Sequence, residues 1–126
     1  MHGLRNKMSA KNKKLVEKIL EEFEKRNNNF FSDYLADDIQ WEIVGMPVIY
    51  GKINFLKAIK TLELNNFILI NVKNIISEGD YVVVESISKL PSQNENSEDP
   101  ASCDIYHIKQ GKIQQLTTYI VDTTSE

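Results

Sequence analysis

Cysteine is almost absent from this chain of 126 residues, which holds only Cys103. A lone thiol closes no bridge within the chain, so the fold stands on its core, and a reducing compartment fits. No apolar run reaches the roughly 18 residues that a membrane-spanning helix needs. The first residues are polar and basic and lead into no apolar stretch, so a secretory signal is not expected. Residues 1–8 read as a disordered leader, with Met8 as an alternative start, and the cytoplasm is the expected location. Histidine is scarce too: His2 and His107 share no metal-ligand spacing with Cys103 or with a carboxylate, so neither a metal nor a cofactor is expected. The five glycines form no phosphate-binding run ahead of a helix. There is no excess of positive charge either. Lys and Arg number 15 against 18 Asp and Glu, for a net charge of −3, which argues against a nucleic-acid partner. The Lys11, Lys13, Lys14 cluster reads as the solvated face of a helix, so no membrane partner is expected.

What is present suffices for one core. Hydrophobic residues make up 41% of the chain and charged residues 26%, and a chain of this size buries roughly two-thirds of its unfolded surface. Ser9 is a plausible N-cap for a first helix, in which Leu15, Val16, Ile19, Leu20 and Phe23 recur at helical spacing. The Asn27-Asn28-Asn29 run stops it. Phe30, Phe31, Tyr34 and Leu35 suggest a short second helix ending at Asp37-Asp38. Then Ile39, Trp41 and Ile43 alternate with Gln40 and Glu42 as a strand. A Pro/Gly loop over residues 45–51 precedes a third helix over 54–62. Strands are predicted over residues 67–76, 81–89, 102–109 and 112–121, with turns at Glu78-Gly79-Asp80 and Gln110-Gly111. The polar stretch 91–101 reads as an exposed, mobile loop. Helices first and strands later indicate an α+β fold: a curved antiparallel sheet with three N-terminal helices packed on one face, forming a cone with a pocket at its mouth.

Four segments in this order, "YLADDIQWE" (34–42), "GMPVIYG" (45–51), "SEGDYVVVES" (77–86) and "CDIYHIKQGKIQQLTTYIVD" (103–122), resemble the SnoaL-like branch of the nuclear-transport-factor-two-like superfamily. The resemblance covers almost the whole chain after residue 14, and residues 9–126 are expected to form a single SnoaL-like domain. It implies a pocket for a small apolar, polyketide-like or steroid-like ligand and a homodimer formed through the sheet. Val83, Ile87, Cys103, Ile105 and Tyr119 would supply the apolar outer face. The superfamily includes ketosteroid isomerases, which use an Asp base with a Tyr and a protonated Asp as oxyanion donors. The protonated-Asp position matches Asp104. The base position falls at Ile43, and the Tyr position falls near Ile19 or Leu20, so two of the three groups are missing. The superfamily's epoxide hydrolases need an Asp-Arg-Asp set, whereas the only arginines here are Arg5 and Arg26, on no predicted strand. The polyketide cyclases use an acid near the end of the last strands, for which Asp122 and Asp104 are the candidates.

The register of the closing hairpin has two readings. A two-residue turn sets Asp104 opposite Thr117, and a three-residue turn sets it opposite Leu116. The second, which the resemblance favours, gathers Asp104, Tyr106, Leu116, Thr118, Ile120 and Asp122 on one face. Asp104 and Asp122 are thus the candidate catalytic acids, and Trp41, Ile43, Tyr106, Leu116, Thr118 and Ile120 are the candidate ligand-binding wall. A carboxyl walled by apolar groups has its pKa raised and can stay protonated as a donor. The plain alternative is an Asp hydrogen-bonded to a core hydroxyl such as Thr118. Cys103 and His107 share a strand face but lie four residues apart, roughly 13 Å, too far to pair as nucleophile and base. Three functions follow as expectations: isomerase, dehydratase or cyclase chemistry, a non-catalytic ligand-binding module, and a homodimeric interaction module.

Overall fold

The computed structural model of the chain describes residues 2–65, 68–89 and 100–121. The elements are α1 (His2–Glu24), α2 (Asn28–Ser32), β1 (Leu35–Ile43), β2 (Ile49–Tyr50), α3 (Lys52–Leu64), β3 (Ile68–Glu78), β4 (Tyr81–Lys89), β5 (Ala101–Lys109) and β6 (Lys112–Val121). The strands form one six-stranded sheet in the order β2-β1-β6-β5-β4-β3. Helix α1 packs on β3 and β4, and α3 packs on β1. The α+β class is as expected.

The first helix buries Val16 and Ile19 and half-buries Leu15, Leu20 and Phe23, the stripe its spacing predicts. Lys18 and Glu22 (3.1 Å), with Lys25 and Glu21 (3.1 Å), pair beside it. The helix runs back through residues 2–8, the segment read as a leader, so Ser9 is not its cap. The Ser9 hydroxyl donates instead to Ser77 Oγ (2.8 Å), and Asn12 Nδ2 donates to the Gly79 carbonyl (3.2 Å), tying α1 to the β3–β4 turn. The stop also differs from expectation. Arg26 turns left-handed at φ 61°; its N–H reaches Phe23 O (3.0 Å) and the Asn27 N–H reaches Glu22 O (2.9 Å). These two bonds are a Schellman cap with an arginine in glycine's usual place.

Three expectations need correction. The sheet is mixed rather than antiparallel, because β1 runs parallel to β6. Period-two alternation fixes which side chains face the core and carries no signal for a partner strand's direction. The expected three-helix layer is in substance a two-helix layer, since α2 spans five residues, little more than one turn. Finally, residues 35–38 are strand and not helix. The Ile113 N–H donates to Tyr34 O (2.7 Å), Leu35 pairs with Ile113, and Leu35 and Ile39 are buried. That pairing outweighs local helix propensity.

Register shifts in the β1–β6, β3–β4 and β5–β6 ladders are bulges that bend the strands and curve the sheet. The β5–β6 shift decides the position of Asp104. The turn is the two-residue kind, with Gln110 (φ 51°) and Gly111 (φ 75°) both left-handed and Lys109 opposite Lys112. A bulge at Gln114 then adds one residue, so Asp104 faces Thr118, opposite neither of the expected partners. The added residue restores the even count, and Asp104, Tyr106, Leu116, Thr118 and Ile120 share one face. Asp122, Phe67 and residues 91–99 of the expected loop lie outside the described residues.

Candidate functional site

The concave face of the sheet and the helices α1 and α3 enclose a cavity of about 420 Å³. Strands β1 and β6 supply Trp41, Ile43, Leu116, Thr118 and Ile120 to its floor, and β5 adds Asp104 and Tyr106. Every expected wall residue therefore lines one cavity, together with Asp104. Ile120 is 58% exposed and stands at the mouth. The walls that sequence reasoning missed come from the helices, chiefly Phe23, Phe55, Ile59 and Leu62. Their helical spacing marked them as buried but not as facing a void. Sequence reasoning also missed Ser86, Ser88 and Ser102, which line the same cavity. The available signal was the β4 alternation of Val82, Val84, Ser86 and Ser88, in which two polar residues continue a buried apolar row.

The polar centre is a relay with a fixed direction. Trp41, tilted against Phe55 at a centroid distance of 4.9 Å, donates its indole Nε1–H to Thr118 Oγ1 (2.9 Å). Thr118 Oγ1 in turn lies 2.6 Å from Asp104 Oδ1. An indole nitrogen only donates, so the Thr118 oxygen accepts there, and the Thr118 hydroxyl donates onward to Asp104 Oδ1. Asp104 Oδ1 is thereby committed as an acceptor, while Oδ2 has no hydrogen-bond partner among the described residues. Burial pushes the Asp104 carboxyl above its ordinary value, and the Thr118 bond opposes the rise. Burial, and secondly the charge of Asp104, push the Tyr106 phenol well above its ordinary range, so Tyr106 stays a neutral hydroxyl.

The positions matching the other isomerase groups are apolar. Ile43, and Ile19 and Leu20 on α1, line the cavity without a titratable group. Cys103 and His107 lie on the outer face of the sheet. Cys103 sits opposite Glu85 and Tyr119, and burial first, then the charges of Asp104 and Glu85, raise its thiol, the reverse of what a nucleophile needs. His107 stacks on Tyr81 at 4.6 Å. Among the described residues no cluster of His, Cys, Asp or Glu is arranged to hold a metal ion, and no helix is long and apolar enough to cross a membrane.

The fold has solved counterparts. A provisionally named ketosteroid isomerase from Kribbella flavida aligns with a TM-score of 0.81 at 16% identity, over 94% of this chain and 83% of that one. An LEH-like epoxide hydrolase from M. tuberculosis aligns at 0.75 and 18% identity, over 89% and 84%. A provisionally named polyketide cyclase from Xanthomonas campestris pv. campestris aligns at 0.73 and 18% identity, over 88% and 90%. At these identities the likeness is one of fold. No curated protein matches the chain in sequence. The profile of the SnoaL-like domain matches residues 16–116, a span that runs from Val16 in the core stripe of α1 to Leu116 on the cavity floor, and the chain belongs to the SnoaL-like domain family.

Proposed function

We propose that the cavity binds a small, mostly apolar molecule through one of its oxygen atoms, and that Asp104, held protonated, donates to that oxygen. In a reaction of isomerase, cyclase or dehydratase type the donor would act as general acid or oxyanion stabiliser. The observation that carries this reading is the one-way relay from Trp41 through Thr118 to Asp104. It occupies Oδ1 and leaves Oδ2 as the place for the proton, in surroundings that disfavour the charged form. Asp122 is proposed as an assisting acid. Trp41, Ile43, Tyr106, Leu116, Thr118 and Ile120 are proposed as the wall that positions the ligand.

The fold's neighbours carry the names ketosteroid isomerase, polyketide cyclase and epoxide hydrolase. The first two chemistries suit an acid in an apolar cavity. Epoxide hydrolysis suits it less, because the two arginines, Arg5 and Arg26, fall within and just after α1. A second reading, a ligand-binding module without turnover, is favoured by one observation: Ile43 stands in the cavity wall at the position where ketosteroid isomerases hold their base. In both readings the protein is proposed to work as a homodimer through the outer sheet face, where Tyr119 and Ile76 are exposed near Val83 and Ile105.

Calorimetric titration with 2-acetylnaphthalene, whose carbonyl only accepts, across mildly acid to neutral pH tests the donor. The wild type should lose affinity as pH rises through the raised Asp104 pKa. Asp104→Asn, a donor at every pH, should bind evenly, and Asp104→Ala should bind weakly and evenly. Wild-type binding that is flat with pH and no tighter than that of Asp104→Ala would sink the proposal. Conjugation of an unconjugated cyclic enone, followed by ultraviolet absorbance, separates the two readings. Turnover that falls about 10²–10³-fold in Asp104→Ala supports catalysis, and binding without turnover supports the second reading.

A further inference from the structure

Serine is an unexpected residue on a buried strand face. The inner row of β4 reads Val82, Val84, Ser86 and Ser88, all buried, and the last two line the cavity. A buried hydroxyl without a partner costs free energy that a valine at the same place would not. Ser86 is 2% exposed and lies 3.0 Å, oxygen to oxygen, from Ser102 on β5, its partner in the ladder. That contact uses one of the pair's two hydroxyl hydrogens. The other hydrogen, and several lone pairs, have no side-chain partner among the described residues. The Ser88 hydroxyl, next in the row, has none either.

We infer that the Ser86–Ser102 hydroxyl pair, with Ser88 beside it, is a second polar subsite that takes a second oxygen of the ligand. This inference rests on the reading of Asp104 as the donor to the first. Ser102 and Asp104 are two residues apart on the same face of β5, roughly 7 Å along the strand. Their flanking partners on that face, Val84 beside Asp104 and Ile120 beside Ser102, are apolar, and the helical wall opposite presents Phe23 and Leu62. The cavity therefore has two polar points at this spacing along β5, in an enclosure that is mostly apolar apart from the Tyr106 hydroxyl and Thr61. The ligand class it fits is a small, flat, apolar molecule with a hydroxyl or carbonyl oxygen at each of two opposite ends, and not one with a single polar head. The serine pair, which both donates and accepts, suits a hydroxyl.

The test compares 2-naphthol with 2,6-dihydroxynaphthalene by calorimetry at mildly acid pH. The wild type should bind the diol about five- to tenfold more tightly, the worth of roughly one net hydrogen bond. Ser102→Ala, at a partly exposed position, should lower the ratio, and Ser86→Ala/Ser88→Ala/Ser102→Ala should bring it to about one, while 2-naphthol still binds. In Asp104→Ala both probes should weaken and the preference persist. Equal wild-type affinities, which need no variant to measure, overturn the subsite alone, as does a preference that survives both serine variants. If neither probe binds the wild type, the Asp104 reading falls and this inference falls with it.

Discussion

Thr118 stands between an indole that only donates and a carboxyl, accepting from the first and donating to the second. Thr118→Val keeps the size and removes the oxygen. It leaves the Trp41 N–H unpaired in a buried site, at a cost of about 1–3 kcal/mol, readable by denaturant unfolding. It also removes the one interaction that holds the Asp104 pKa down, so carboxyl-carbon NMR should show that pKa rising further. The sign of the linkage follows. A carboxyl whose folded pKa lies above its unfolded value binds its proton more tightly in the native state. Its favourable contribution is complete below the ordinary value of 3.8 and is lost as pH rises through the folded pKa. The variant should therefore lose more stability than wild type on going from acid to neutral pH; an unchanged slope would refute the relay. At this scale much of the site was legible. Strand alternation, with the register that the resemblance favoured, put Asp104, Tyr106, Leu116, Thr118 and Ile120 on one face. The serines were passed over despite their place in the β4 alternation, because polar residues on a strand ordinarily mark its solvent side.

Elements end and pair for local reasons that a sequence shows unevenly. The asparagines after α1 do contribute to its stop, since the Asn27 side chain donates to Glu22 (2.8 Å). The left-handed residue, however, is Arg26, a position where a side chain is disfavoured by roughly 1 kcal/mol. Arg26→Gly should raise the free energy of unfolding by several tenths to about 1 kcal/mol, less whatever the freer unfolded chain takes back. A loss on chemical denaturation would show that the arginine side chain holds the cap. The turn between β5 and β6 was legible in Gln110-Gly111, whereas the bulge at Gln114 was not. No residue type announces a bulge, and its one extra residue moves every pairing beyond it. The start of β1 was hidden differently: Tyr34-Leu35 looks helical beside Phe30 until β6, far along the chain, offers Ile113 as a partner.

At the scale of the whole molecule, the helices cover one face of the sheet and leave the other to solvent. The uncovered face carries Val83, Ile105 and Cys103 at its centre, with the exposed Tyr119 and Tyr81 around them. The proposed dimer places its interface there. Ile105→Lys, which projects away from the cavity, should convert a dimer at micromolar concentration into a monomer by sedimentation while naphthol binding persists. A wild-type monomer removes the dimer from the account. The fold class was readable from the order of helices and strands, but the neighbours of β1 were not, since it pairs with β6, distant in sequence, and in parallel. That order has a consequence in time. Strands β3, β4 and β5 find their partners in sequence as a growing chain emerges, but β1 has no long partner until β6 exists, and the Trp41–Thr118 bond spans 77 residues. High contact order of this kind slows folding. A nascent or C-terminally clipped chain thus exposes two unpaired edges, the sort of surface that chaperones guard and that aggregates without them. The cavity floor, too, is assembled only once β6 has paired, because Leu116, Thr118 and Ile120 are its contribution.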